Sequence, residues 1–560
     1  MNRPLIIALL ALTSCYTDEV GTEMVAAGDV DPLFVAESEF TLTDHFATGE
    51  VCAQCHSNHN NASAMRDAAG NELAPYNLWR GTMMANSARD PLWRAYVSAE
   101  ILSTPRASND IEAECMRCHT PIANVESQRI NEDLELELLE DEGDLGHLVR
   151  NGVNCTVCHQ ITETGLGTEE SWNGNYEINS DQIIYGPHQD VATGPMQAHT
   201  GYTPTYSDHT RTSELCATCH TLFTDPVNPD GEEAQGHFAE QTPYLEWQAS
   251  SYSPDLICQD CHMPLVDDLG EEIETAIARS PPGGDFNIPE RTPYGQHRFV
   301  GGNTLMPQIL RDWTDVLNPD AQAKHFDETI EYGKVQLAND TGTVEVRNAA
   351  LSGKKLTADI DIRIQTGHKF PTGIPLRRAW LRIRALEASG EVRFVSGGFD
   401  SAGRIVDGRG MLADFEEPGG PIAPHREQVS NDRHVALYEA VMADENGRPT
   451  FRLVRAANFY KDNRMLPVGW TSPDERILPV GVDGDEDFVP GGDTVGLSVR
   501  LPKVDGPITL EVTLFFQPLS ARVMHELFRW DTEEVAAFRT MWESADRDPE
   551  VISTTTVVVQ

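Results

Sequence analysis

The sequence predicts a multidomain chain of two unlike parts: a cysteine-rich, mainly helical and irregular segment, then an antiparallel β-sandwich. Three observations predict it. All 11 cysteines of the 560 residues lie within the first 320. Those 320 residues hold 51 acidic and 14 basic side chains, a net of −37 with no lysine before Lys324, while the remainder holds 37 and 28, a net of −9. From about Val344 onward, apolar residues recur at every second position, the period of a strand with one buried face. The length suits two to four domains, and 40% hydrophobic content suffices for ordinary cores. A total charge of −46 excludes nucleic acid and anionic lipid surfaces as partners, since both would be repelled along their whole length.

Residues 1–14 carry one positive charge, Arg3, before a short apolar run. The run is far below the roughly 20 residues a spanning helix needs, so it reads as an export signal. Leu12-Thr13-Ser14-Cys15 resembles the lipobox of bacterial lipoproteins, which implies acylation of Cys15 as the mature N-terminus. The predicted destination is the periplasm, the outer membrane or the cell surface, with a lipid anchor in the membrane. Residues 15–40 are acidic, small and aperiodic, as a flexible tether would be. The cysteine-rich domain is placed at 41–325 and the sandwich at 326–560.

Apart from Cys15, the cysteines form five Cys-x-x-Cys pairs, each followed at once by histidine. They are Cys52/Cys55-His56, Cys115/Cys118-His119, Cys155/Cys158-His159, Cys216/Cys219-His220 and Cys258/Cys261-His262. This is the attachment signature of c-type haem. Two thiols at i and i+3 reach the two vinyl groups of one porphyrin edge, and the next residue turns its imidazole to the iron as proximal ligand. Zinc sites, disulfides and redox dithiols do not require histidine after every second cysteine. Five such coincidences would occur with a chance on the order of 10⁻⁸. The predicted cofactors are five c-type haems, and the first domain is a haem-packed, pentahaem multihaem cytochrome c domain.

Much of 41–320 is turn-like, as in Pro281-Pro282-Gly283-Gly284 and Asn228-Pro229-Asp230-Gly231. Such a segment buries little apolar area unaided, so the porphyrins are expected to form its core. Predicted helices run over Tyr76–Glu100 and Leu134–Val149. The acidic run Glu132–Asp144 reads as a solvated face rather than a binding site.

Several further segments carry a family resemblance. They are Leu78–Pro91, Tyr244–Tyr252 leading into the fifth motif and Met263-Pro264, His297–Asn303, Gly367–Trp380 and Lys461–Pro467. Over about residues 45–530 the chain resembles a bacterial multihaem cytochrome family related to the cytochrome c-554 and hydroxylamine oxidoreductase group. The resemblance bears on the distal ligands, for which thirteen histidines remain beyond the five proximal ones. Relatives often carry Ser-x-His-Ala after the first motif, with that histidine axial. Here Thr82-Met83-Met84-Ala85 stands instead, which implies Met84 as ligand with Met83 in reserve. By the same resemblance His297 and His368 are axial candidates. Among His188, His199 and His209, which precede the fourth motif, His199 and His209 are preferred. His147 is a further option, and His59 is expected to face solvent.

In the second half, Leu356, Ala358, Ile360, Ile362 and Ile364 alternate with polar residues. Val495–Leu501 and Ile508–Phe516 alternate likewise, with Asp505-Gly506 suggesting a hairpin between them. Such strands over about 200 residues suggest the sandwich, and Val523–Trp530 and Glu533–Ser544 read as terminal helices. Asp483–Asp487 reads as an exposed acidic turn in preference to a calcium loop.

Electron transfer follows as the leading function: closely spaced haems relaying electrons across or outside the cell envelope to redox partner proteins with a basic docking surface. The alternative is an oxidoreductase acting on a small nitrogen or sulfur compound at one open haem. A third reading makes the sandwich a docking module. No catalytic residue is assigned, for the chain has no nucleophile elbow, phosphate loop or dinucleotide fingerprint.

Overall fold

A computed structural model describes residues 35–37, 39–504 and 506–560. The signal segment, Cys15, nearly all of the tether and Asp505 lie outside the described residues. The described end of the tether is fastened down: Val35 is fully buried and donates its amide to the Val316 carbonyl, and Ala36 donates to Leu139.

The cysteine-rich part is built from short helices and turns. The single helix expected over Tyr76–Glu100 is two, Pro75–Trp79 and Pro91–Ser103. The interruption has a local cause. The Asp90 carboxylate accepts the Leu92 and Trp93 amides as an N-cap, and Pro91 takes the first helical position, where no N–H is needed. Leu134–Val149 likewise resolves into a 3₁₀ turn, Leu136–Leu139, and a helix, Asp144–Arg150. Every acidic side chain from Glu132 to Asp144 is exposed while Leu139 is buried, so the run is a solvated face. The apolar residues of this part fall into separate clusters. One joins Met65, Leu73, Leu78, Ile273 and Tyr294, and another Phe46, Trp93, Met116, Ile122 and Leu148.

An 18-residue helix, Ala323–Asp340, crosses the boundary drawn between 325 and 326. Beyond it a four-stranded and a seven-stranded sheet pack their apolar faces into one large core. The strand Lys355–Ile364 buries Leu356, Ala358, Ile360, Ile362 and Ile364, as the alternation requires. Its pairings with Gly342–Ser352 and Gly492–Arg500 are antiparallel. The exception to antiparallel order in these two sheets is the two-residue pairing of Gln428–Val429 with Gly492–Arg500.

The expected hairpin across Asp505-Gly506 does not form. Gly492–Arg500 belongs to the four-stranded sheet and Ile508–Gln517 to the seven-stranded one, so the connection crosses between sheets. Alternation shows that each strand has one buried face, but not which sheet supplies its neighbours. Ile508–Gln517 pairs instead with Arg378–Glu387 and with a terminal strand, Glu550–Val559, that the alternation reading missed. The helix Glu533–Ser544 begins at Thr532, whose hydroxyl accepts the Val535 amide. It packs on Pro91–Ser103, and Leu92, Tyr96, Phe326, Phe538 and Trp542 share one cluster across the two parts. Among the described residues no helix is long and apolar enough to cross a membrane.

Candidate haem-binding sites

Each Cys-x-x-Cys-His motif lies on or at the end of a short helix. The helices are Gly49–His56, Ser108–His119, Cys155–Cys158, Ser213–Ala217 and Cys258–His262. One helical turn brings residues i and i+3 to the same side, so both thiols of a motif face one way. All ten thiols are free.

Four of the five motif histidines share a second feature. Nδ1 of His56 lies 2.9 Å from the Ile277 carbonyl, that of His119 3.0 Å from Ser87, that of His159 2.6 Å from Tyr185, and that of His262 2.6 Å from Val300. A carbonyl only accepts, so Nδ1 carries the proton and Nε2 keeps its lone pair, the tautomer a metal-bound histidine needs. Desolvation lowers the pKa of the His56, His119, His159 and His262 rings, taking His119 to about 4, so the lone pair is retained at neutral pH, whereas His220 stands exposed. His119 also stacks on Trp93, with centroids 4.6 Å apart and planes 6° from parallel.

Two further imidazoles stand opposite motif histidines. His297 lies 6.3 Å from His159 between ring centroids, and His368 lies 6.2 Å from His262, with interplanar angles of 22° and 16°. Rings in face contact would be closer, as His119 and Trp93 are. Two imidazoles bound end-on to one iron, each nitrogen about 2.0 Å from the metal and each centroid about 1.1 Å behind it, would have centroids roughly 6.2 Å apart. The fit extends to the tautomers: Nδ1 of His297 lies 3.2 Å from the Gly295 carbonyl, and that of His368 2.9 Å from Lys369. Burial is the first cause that lowers both rings, His297 to about 3. The residues present therefore suit a bis-imidazole haem at the third and fifth motifs.

The other candidates are placed differently. His209 is buried with Nδ1 bonded to the Ser207 hydroxyl at 2.6 Å and Nε2 to the Ile161 carbonyl at 2.8 Å. With both nitrogens engaged, it has no lone pair to give an iron, which corrects its assignment as a ligand. His147 is engaged at both nitrogens too, with Glu142 and Arg150. His199 is exposed at the end of the helix Thr193–Thr200. His188 is half-buried, and so is His59, whose ring packs against the turn at Gly283. Met83 packs against the cluster shared by the two parts. Met84 is half-buried, and its carbonyl accepts the Val153 amide at 3.0 Å.

Packing also orders the motifs in space. The helix Gly49–His56 packs on Cys155–Cys158 and Ser213–Ala217 on Cys258–His262, while Cys115, Cys158 and Cys219 all pack against one apolar cluster. The first motif thus adjoins the third and the fourth the fifth, and the second, third and fourth meet at that cluster.

The carbonyls of Ser87, Tyr185, Ile277 and Val300 carry no side-chain signal and were invisible to motif reading. The Asp483–Asp487 turn resolves as a strut. Asp485 accepts from His425 Nε2 at 2.8 Å, and His425 Nδ1 accepts from the Asn463 amide, which the Glu439 N–H and the Leu437 carbonyl pin in one orientation. That leaves His425 no lone pair for a metal.

No protein-family model and no curated protein matches the chain. Among solved structures it is similar to a penta-haem cytochrome c552 from Thermochromatium tepidum, with 17% identity, a TM-score of 0.47, and coverage of 92% of this chain and 100% of that one.

Proposed function

We propose that this chain is a multihaem c-type cytochrome, with five covalently attached haems, whose task is electron transfer. One observation carries the reading: five Cys-x-x-Cys-His motifs, four of them with a half-buried histidine whose Nδ1 faces a backbone carbonyl, and two of those four facing a second imidazole at the separation one iron requires. The thiol pairs would bond to the porphyrin vinyl groups. His56, His119, His159, His220 and His262 would be proximal ligands, with His297 and His368 distal at the third and fifth haems. Bound haem supplies reversible one-electron chemistry at iron.

The chain's own residues orient and tune. Backbone carbonyls aim every one of these imidazoles but His220, and imidazole donation from both faces would favour low potential relative to thioether ligation. The contacts between motifs make a branched path, first to third and fourth to fifth, with the second, third and fourth meeting at one apolar cluster.

The protein matured with c-type haem is expected to show five haems per chain by intact mass and pyridine haemochrome. A lower count, or haem released by acid and acetone, overturns the reading.

A second reading, catalysis at one open haem, is favoured by Arg377. Its half-buried guanidinium donates to the Thr372 carbonyl at 2.8 Å, in the loop that follows His368. A cation held there suits a small oxyanion. Electron paramagnetic resonance of the oxidised protein separates the two: a high-spin haem that shifts on adding nitrite or sulfite supports catalysis, and five low-spin haems exclude it.

A further inference from the structure

The loop bearing His368 is held by four charged side chains that no haem motif includes. Lys369 and Asp462 pair at 2.6 Å, both fully buried. Asp462 accepts from Arg464 on both oxygens, at 2.7 and 2.8 Å, and Arg464 pairs with Glu246 at 3.0 Å. Glu246, also fully buried, accepts the Lys369 backbone amide at 3.2 Å and the Thr372 hydroxyl. The Lys369 ammonium lies 5.4 Å from the centre of the Trp470 ring.

Two cations and two anions balance here without solvent. Burial lowers the pKa of Lys369, as it must for a cation out of water, with Asp462 the largest opposing influence. The partners come from different parts of the chain. Glu246 lies on Pro243–Gln248, ahead of the fifth motif, whereas Lys369, Asp462 and Arg464 belong to the strand-rich part. Lys369 is held at three points, its amide by Glu246, its ammonium by Asp462 and its carbonyl by His368 Nδ1.

We infer that the Glu246–Arg464–Asp462–Lys369 quartet is a latch of positioning residues that seats His368 opposite His262, so that docking of the strand-rich part sets the coordination of the fifth haem. The inference rests on the haem reading proposed above. A balanced buried quartet gives geometry rather than net attraction. Removing one member strands a charge and loosens the carbonyl that aims the imidazole.

The test uses the full-length, haem-loaded protein in three forms: parent, His368→Ala and Lys369→Met. Spin state is read by electron paramagnetic resonance and midpoint potential by spectroelectrochemistry. Lys369→Met should convert one haem of five from low to high spin and raise its potential, matching His368→Ala, and added imidazole should restore low spin in both. If His368→Ala leaves every haem low-spin, His368 is not a ligand and the underlying reading of the fifth haem fails. If His368→Ala yields a high-spin haem while Lys369→Met keeps parental spectra and potentials, the latch is overturned. Should Lys369→Met not accumulate, the paired change Lys369→Met with Asp462→Asn leaves Arg464 and Glu246 balanced and is judged by the same two readouts.

Discussion

At the scale of single residues, the site's chemistry depends on burial acting on titratable groups. It works in opposite directions on bases and acids: it lowers the pKa of imidazoles such as His119 and His297, and it keeps some carboxyl groups protonated. Glu240, beside the second motif through Cys115, is the clearest acid. Burial, with Glu114 and Glu100 as charged neighbours, pushes it from its ordinary 4.5 up to about 7. Between those values the folded protein holds a proton that the unfolded chain has released. Stability therefore falls as pH rises through that window, and the loss is complete above about 7. Glu240→Gln imitates the protonated form. It should match the parent near pH 4 and exceed it at pH 8 by on the order of 2 kcal/mol, read from denaturant midpoints at the two values. Equal pH dependence in both proteins would show that Glu240 ionises freely when folded. At this scale the five Cys-x-x-Cys-His motifs were legible as a spacing, while the backbone carbonyls that face four of their imidazoles were not. His209 was not, because a ligand and a doubly hydrogen-bonded histidine have the same letter, and only the Ser207 hydroxyl and the Ile161 carbonyl separate them.

At the scale of elements, alternation located strands well and paired them poorly. Leu356 to Ile364 announced a strand because each inward residue is apolar, but nothing between Arg500 and Ile508 states that the chain changes sheets. Helix starts were legible where capping chemistry is local, as at Thr532, and were overlooked at Asp90-Pro91, inside an apolar run. Charged residues within strands were the least legible. Arg378 is buried at the start of Arg378–Glu387, where its guanidinium reaches Glu416 at 2.6 Å, Gln517 at 2.8 Å and the Gly403 carbonyl at 3.2 Å. It ties two neighbouring strands of the seven-stranded sheet to the turn Asp414–Glu416. Glu416→Ala would leave that cation unpaired and orphan the Ile405 amide, which Glu416 also accepts. The expected cost is about 3–5 kcal/mol, seen as a lower denaturant midpoint with haem content unchanged. A cost below about 1 kcal/mol would place the pair in the class of solvent-exposed ion pairs.

At the scale of the whole molecule, the −37 of the first 320 residues falls on the part that carries all five motifs. On the proposed reading haem would deepen this charge, since each porphyrin brings two propionates and the ferric iron offsets one unit. The field around the part that carries the motifs is thus negative, while the strand-rich part is nearly balanced. On the proposed reading a redox partner approaching the motif-bearing part would be steered if basic and repelled if acidic, and salt must weaken both effects, because the Debye length shrinks from about 30 Å at 0.01 M to about 3 Å at 1 M. Stopped-flow electron exchange with a small basic donor should therefore slow by at least about tenfold over that range, and exchange with an acidic donor of similar size and potential should quicken. The contrast between the two donors is the discriminating result, since a general effect of salt on the haems would move both rates the same way. Rates independent of salt for both would mean that partners dock away from the acidic surface, on the strand-rich part. The latch at Lys369 would then be the direct link between the docking part and the fifth haem.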